Sequence, residues 1–352
     1  PLHGPATGIA RATSGLVDEL SRRDVRIVPY VLSFRARLTD GTRRIPLPAA
    51  VALRTWAATS RPRLERLWRD VDVVHGTNYV VPPTRRPRLV SVYDCWALDH
   101  PQYVHAHVRL AMNALRRSVD DGAVIHASSH ATARRLAAHF PGAPVEVIHL
   151  GPTDPRPSPT VMPRSLPSVL ESAPFVASIG TIERRKNVPT LITAFTRLAE
   201  QHSDLRLVVA GSMGDDATMV DEALSAASPS TRARVHLLGR VDDDTAAWLL
   251  RHARVLAYPS LDEGFGFPLL EAMASDVPIV ASDAGSIPEI AGEAALLVAP
   301  SDVDELVRGL DEVVSNEMTR RRLIDSGRSR RADFSWATTI DRFTDLYERL
   351  AR

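Results

Sequence analysis

The amino-acid sequence predicts an α/β protein of two doubly wound, Rossmann-like parallel-sheet domains facing a central cleft. Three observations lead there. The chain has 352 residues, enough for two domains at roughly 100–200 residues each. Short apolar runs alternate with helix-period segments on both sides of its middle, the pattern of a parallel sheet covered by helices. Between them, residues 152–171 (PTDPRPSPTVMPRSLPSVLE) carry six prolines, which sustain neither a helix nor a central strand and read as a linker.

Taken in order, Thr7-Gly8-Ile9-Ala10-Arg11 opens a helix with no strand before it, so the first domain (residues 1–150) is expected to lack its initial strand. Strands are expected over 25–31, 71–75, 88–93, 122–127 and 145–150, with helices between. After the linker (151–171), the second domain (172–332) is expected to carry strands over 175–180, 206–211, 235–239, 255–259, 278–282 and 294–298. Residues 333–352 are expected to form a C-terminal helix that crosses back to the first domain. Ligands of such sheets sit outside the carboxyl ends of the strands, so the loops there are the places to look for chemistry.

The formal charge of +1 conceals an asymmetry: residues 1–150 hold 21 basic and 12 acidic groups, residues 151–352 hold 22 and 30. A basic half suits an anionic partner. Nucleic acid is not expected, because that half lacks an exposed aromatic-basic pattern. Residues 43–69 set Leu47, Val51, Leu53, Trp56, Leu64, Leu67 and Trp68 among arginines, a pattern that fits peripheral contact with an anionic membrane. The favoured reading is a helix pair packing on its own domain with its arginines in solvent.

With Cys95 alone, no internal disulfide or Cys-based zinc site can form, and a reducing compartment is favoured. No run nears the ~18 apolar residues of a membrane span, and Pro1-Leu2-His3-Gly4 does not read as a signal peptide. The expected location is cytoplasmic, with the inner face of the membrane as the peripheral alternative.

Two loops stand out. The strand over 175–180 leads into Thr181-Ile182-Glu183-Arg184-Arg185-Lys186-Asn187 and then a helix with Pro189 in its first turn. A helix N-terminus beside three cations suits a polyanion, because free amides and the helix dipole add to the side-chain charge. Of 43 basic residues, only Lys186 is lysine. Its compact charge fits a crowded diphosphate, and arginine clamps phosphate with two parallel bonds.

The second loop, Ser260 to Met273, contains Glu263, Gly264, Phe265, Gly266, Phe267, Pro268 and Glu271. Pro268 fits the first helical position, leaving the preceding amides for a ligand that the glycines let come close. Carboxylates at 263 and 271 suit the vicinal hydroxyls of a sugar or ribose.

Asp242-Asp243-Asp244 has metal-site spacing but opens a helix, where acids are ordinary caps. His105 with His107 and His126 with His130 are not convincing metal pairs, so no metal is expected.

The 260–273 segment resembles the Glu-x7-Glu signature of retaining GT-B glycosyltransferases of family 4. Gly180 to Asn187 is similar to the glycine-to-Lys-Asn loop of that family's mannosyltransferase-like members. Residues 7–11, Asp72-Val73-Val74-His75-Gly76-Thr77-Asn78, Ile287 to Gly292 and Phe334-Ser335-Trp336 resemble further family segments, so the likeness runs along the whole chain.

The resemblance implies that Arg185 and Lys186 neutralise a donor diphosphate and that Glu271 binds the ribose. Glu263, with the amides of Gly264, Phe265, Gly266 and Phe267, would hold the transferred sugar. Gly180 and Thr181 would line the donor site, the Gly8 loop would close over the diphosphate from the opposite domain, and Gly239 to Val241 would border the base. Asp94 matches the Asp of a family His-Asp pair, but Tyr93 replaces the histidine.

The implied reaction moves a hexose, mannose from GDP-mannose being the best fit, to a glycan or lipid-linked acceptor. No enzymatic nucleophile is evident, and no cofactor is expected beyond the donor substrate. The alternatives are a nucleotide-sugar epimerase or phosphorylase of the same fold, and a non-catalytic sugar-nucleotide-binding protein. A phosphorylase would need Lys186 for pyridoxal phosphate. A protein that had lost catalysis would be expected to lack one of Glu263, Glu271, Arg185 or Lys186.

Overall fold

The computed structural model describes residues 8–33, 38, 41–152 and 159–352. The expectations about residues 1–7, and about Pro155 and Pro157 of the linker, lie outside the described residues. The chain divides into two compact units, one running to Gly151 and including Phe334–Arg352, the other Pro152–Asp333.

The first unit contains β1 (Tyr30–Val31), β2 (Arg43–Arg44), β3 (Val74–Gly76), β4 (Arg88–Val92), β5 (Val124–Ala127) and β6 (Val145–Val147). Strands β3-β4-β5-β6 form one parallel sheet in that order. Every residue of β4 (RLVSV) is buried, as a strand covered on both faces requires.

The strand expected over 25–31 is corrected: only Tyr30–Val31 is extended, and it pairs with Arg43–Arg44 in a separate two-stranded sheet. Pro29 has no N–H for a ladder, and Val25 and Ile27 instead pack beneath the C-terminal helix. Residues 43–69 form the helix Ala49–Ala58 and a 3₁₀ turn at Glu65–Trp68. Trp56 and Trp68 are buried in their own unit, while Arg54, Arg61, Arg63, Arg66 and Arg69 are exposed. Val51 remains 45% exposed on the helix.

The C-terminal helix Trp336–Ala351 is capped by Ser335, whose hydroxyl accepts from Thr338 N. It packs Ile340, Phe343 and Leu346 against Leu16, Leu20, Leu89 and Ile148. Each such side chain taken out of water contributes about 1.5–3 kcal/mol. The Trp336 ring lies on Gly15 and Gly151, where an added Cβ would meet it at 2.1 and 2.4 Å.

A buried polar chain ties this helix to the sheet. His126 Nε2 lies 3.0 Å from the Ile148 carbonyl, which can only accept, so His126 Nδ1 accepts from the Ser91 hydroxyl at 2.8 Å. That hydroxyl then accepts from His75 Nε2 at 2.8 Å, and His75 Nδ1 accepts from the Tyr347 hydroxyl at 2.8 Å. One carbonyl therefore sets the direction of the chain with both imidazoles neutral. Burial lowers their pKa values to about 3 (His75) and about 4 (His126).

The second unit holds β7 (Phe175–Ile179), β8 (Arg206–Ala210), β9 (Val235–Gly239), β10 (Val255–Tyr258), β11 (Ile279–Ser282) and β12 (Ala295–Val298). All are parallel, in the order β12-β11-β10-β7-β8-β9. Read from the other edge, this is third, second, first, fourth, fifth, sixth. The order reverses between β7 and β10, the switch point at whose carboxyl ends such sheets place their ligands. The helices Val188–Gln201 and Val303–Ser315 cover one face through Leu191, Phe195, Leu198, Leu306 and Leu310.

Among the described residues, no helix is long and apolar enough to cross a membrane.

Candidate active site

The crevice beside β7 and β10 is where the two singled-out loops meet. Leaving β7, Gly180 has φ +145°, and Gly211 comes so near that a Cβ there would sit 1.8 Å from the Gly180 oxygen. Thr181 is exposed, but Ile182 dives into the core. A 3₁₀ turn at Arg184–Lys186 follows, ended by Asn187 in the left-handed region at φ 55°. Asn187 Nδ2 donates to the Pro259 carbonyl (3.2 Å) and Leu261 N donates to the Arg185 carbonyl (2.7 Å), joining the loop after β7 to the loop after β10.

Glu263 is the centre of the cluster, and only 6% of it is exposed. Its Oε2 accepts from Arg185 at 2.8 Å and its Oε1 accepts from Lys186. Arg185 also reaches Glu183 (2.7 Å) and the Asp262 carbonyl (3.1 Å). Lys186 Nζ donates to the Tyr258 hydroxyl at 3.0 Å and lies 4.8 Å from that ring's centre, a cation–π distance.

Burial alone would raise the Glu263 carboxyl, but Arg185 and then Lys186 outweigh it and hold the pKa at about 2. At Lys186 the balance differs. Burial pushes its pKa down, and the attraction of Glu263 is partly cancelled by repulsion from Arg185. Glu263 is held by two cations, whereas Lys186 has Glu263 as its ion-pair partner and is repelled by Arg185, which itself also pairs with Glu183. Burial also pushes the Tyr258 phenol well above its usual value.

The Glu263 backbone is fixed from β11's loop. Its carbonyl accepts from Ser286 N at 2.9 Å, and Gly285, at φ +57°, lies where a Cβ would come within 2.5 Å of that oxygen. Gly264, Phe265 and Gly266 are buried, the two rings of Phe265 and Phe267 meeting edge-on at 5.2 Å. Gly266, at φ 95°, is the N-cap of the helix Phe267–Ala274. Phe267 therefore starts this helix and Pro268 comes second, one place later than expected.

Glu271 is half-exposed one turn into that helix. Gly239 has φ +65° with open space where a Cβ would stand, and Val241 is half-exposed two residues on. Asp242 accepts from Thr245 N at 2.8 Å, the capping role expected of it.

Two sequence candidates belong to the first unit. Gly8 is the exposed first residue of the helix Gly8–Leu20; Thr7 lies outside the described residues. Asp94 follows β4, and its Oδ1 accepts from Trp96 N (3.0 Å) and the Tyr79 hydroxyl (3.1 Å), which makes it a cap for the turn after it. Tyr93, standing where the resemblance has histidine, is buried, and desolvation raises its phenol to about 12.

The sequence reading missed Tyr258, Ser286 and Gly285. Tyr258 is the last residue of its strand and carried no signal beyond the strand pattern; the Asp283-Ala284-Gly285-Ser286 turn was the available signal for the other two.

Residues 167–330 match the family described as glycosyl transferases group 1. The chain is 26% identical over 285 residues to the O-antigen chain mannosyltransferase B of Escherichia coli, covering 79% of this chain and 74% of that one. It is 44% identical over 119 residues to the MMP alpha-(1->4)-mannosyltransferase of Mycolicibacterium hassiacum, covering 33% of this chain and 29% of that one.

Among solved structures, sucrose-phosphate synthase from Thermosynechococcus elongatus superposes with a TM-score of 0.73 at 18% identity over 98% of this chain and 94% of that one. WaaG, a glycosyltransferase involved in lipopolysaccharide biosynthesis, gives 0.71 at 16% over 98% and 97%. Likenesses at that identity speak to fold alone, and with two parallel-sheet units they make it the GT-B fold.

Proposed function

We propose that this chain, a glycosyltransferase whose residues 167–330 match group 1, moves a mannosyl group with retention of configuration from GDP-mannose to a glycan or lipid-linked acceptor. The observation that carries this reading is the buried Arg185–Glu263–Lys186 cluster at the switch point of the second sheet. The mannosyltransferase names of the relatives support mannose.

In this reading the C1–O bond to the diphosphate breaks and its electron pair stays on the leaving phosphate oxygen. Arg185 and Lys186 meet the charge that develops there, already held in position by Glu263 and so needing little reorganisation. The acceptor hydroxyl bonds to C1 on the same face and passes its proton to the leaving oxygen. These side-chain cations do the work for which other transferases use a metal.

Gly180 and Thr181 line the diphosphate. The Gly264 to Phe267 amides, with the lone pairs of Glu263 left over from its two ion pairs, take the sugar. Glu271 takes the ribose, and Gly239 to Val241 border the base. Asp94 remains with the acceptor domain.

Incubation with GDP-mannose and a mannoside acceptor, followed by NMR of the product's anomeric carbon, tests the reading. An α-linked product is expected. A β-linked product would sink the retaining assignment, and absence of turnover with GDP-mannose alongside turnover of another nucleotide sugar would sink the donor.

A further inference from the structure

The first unit carries a second concentration of cations at the other end of its sheet. Arg88 opens β4, and Arg85 and Arg86 stand just before it across Pro87, so all three lie at the amino end of the strand, whereas Asp94 follows the carboxyl end. A strand of five residues separates the two ends, roughly 16 Å at about 3.3 Å per residue. Arg63, Arg85, Arg86 and Arg88 line one recess of about 360 Å³, with Asp121 as its one acidic lining residue. A water occupies about 30 Å³ of liquid, so the space admits a polyatomic anion with something attached.

The recess is built rather than incidental. Glu65 accepts from the Thr84 hydroxyl (3.0 Å) and from Arg85 N (2.7 Å), and prolines at 82, 83 and 87 stiffen the same loop. The Arg86 guanidinium donates to the Arg69 carbonyl at 2.8 Å and that of Arg88 to the Asp121 carbonyl at 2.6 Å, so both are aimed by backbone oxygens. Arg88 is 7% exposed. Burial lowers its pKa, Arg63 adds to that and Asp121 opposes it.

Among the described residues, none of the four arginines forms an ion pair with a carboxylate, although other arginines of this chain do so repeatedly. The Asp121 carboxylate is engaged by the Ser60 hydroxyl. Four cations gathered around the single carboxylate of Asp121 leave an excess of positive charge, and a bound anion offsets that repulsion.

We propose that this recess binds a phosphate monoester. Planar guanidinium forks match the three terminal oxygens of a dianionic phosphate, and the exposed mouth leaves the ester's organic part outside. Such a group comes either from a small soluble phosphate ester or from a lipid headgroup. The recess is independent of the donor site, since its residues belong to the other unit.

The test compares the full chain with an Arg63→Gln/Arg85→Gln/Arg86→Gln variant and with Lys186→Ala. The three replaced side chains are exposed, and a thermal melt checks that the variant folds. Calorimetric titration with inorganic phosphate and glycerol 3-phosphate, and co-sedimentation with phosphatidylcholine vesicles containing phosphatidic acid or phosphatidylserine, give the two arms.

Binding that weakens at least about tenfold in the triple variant and is retained in Lys186→Ala supports the site. In that case capture by phosphatidic acid vesicles alone identifies the headgroup as the source, and saturation by glycerol 3-phosphate without vesicle capture identifies a soluble ester. Three results overturn the proposal: no saturation by about 10 mM phosphate ester together with no vesicle capture, unchanged binding in the triple variant, or equal capture by phosphatidylserine, which would mean a diffuse field.

Discussion

The two oxygens of the Glu263 carboxylate are shared between neighbouring cations, Oε2 taking Arg185 at 2.8 Å and Oε1 taking Lys186. Sequence adjacency puts those cations side by side, and strand order brings the carboxylate 78 residues onward to meet them. The cluster is thereby both a structural tie and a ready source of positive charge.

Replacing Glu263 by Gln removes the ion-pair partner of Lys186 and leaves Arg185 with Glu183 alone. Loss of one partner of a buried pair costs about 3–5 kcal/mol, so urea unfolding at pH 7 should show a deficit of that order in Glu263→Gln. Because the folded-state pKa is depressed to about 2, the carboxylate's contribution is complete above its ordinary pKa and is lost as pH falls toward about 2. The gap between wild type and variant should therefore narrow below about pH 4. A gap that stays constant from pH 7 to pH 3 would contradict the assignment.

Lys186→Arg should behave as a loss rather than a conservative change. Lys186 passes 3.5 Å from where a Gly180 Cβ would stand and lies over the Tyr258 ring, which leaves little room for a planar fork. Steady-state kinetics should show kcat reduced about 10²–10³-fold, the usual cost of losing one positioned donor to the developing charge.

Gly285→Ala tests the backbone support of Glu263. The added methyl would fall 2.5 Å from the Glu263 oxygen and 2.6 Å from its nitrogen, at a φ of +57° that disfavours side chains. Strain of about 1–3 kcal/mol is expected, with weaker nucleotide binding although no donor contact is removed. Calorimetry on the folded variant checks it; unaltered binding would separate Gly285 from the site.

In the first unit, Tyr347→Phe deletes the hydroxyl that donates to His75 Nδ1. A buried acceptor left unmet costs about 1–3 kcal/mol, readable by urea unfolding. Both histidines have folded pKa values below the ordinary one, so the unfolded state takes up protons first on acidification. Stability contributed by this chain is full above about pH 6.5 and falls as pH drops toward 4 and then 3. A wild-type melting temperature independent of pH from 7 to 5 would count against it.

Much of the second unit was legible in the sequence because each of its strands is a short apolar run closed by a glycine, a proline or a polar turn. The two functional loops were legible for the same reason, as they begin where β7 and β10 end. The meeting of Arg185 and Lys186 with Glu263 was not, because it depends on β7 lying beside β10. The resemblance implied that Glu263 holds the sugar; that its two oxygens also pair with Arg185 and Lys186 was visible only in the structure. The 25–31 strand was read from an apolar run whose Val25 and Ile27 pack on a cluster shared by the first helix, the sheet and the C-terminal helix, a contact that local periodicity cannot distinguish from a sheet. Tyr258 was hidden in plain strand pattern, its hydroxyl revealed only by the lysine it meets.

The most direct test of the central claim, that Arg185, Lys186 and Glu263 form a diphosphate site, is calorimetric titration of GDP into wild type and Lys186→Ala. The account predicts saturable binding to wild type and affinity at least about tenfold weaker in a folded variant, a loss of about 1.4 kcal/mol or more. Equal affinity in the two proteins, or no binding of any GDP, UDP or ADP compound to wild type, would contradict it.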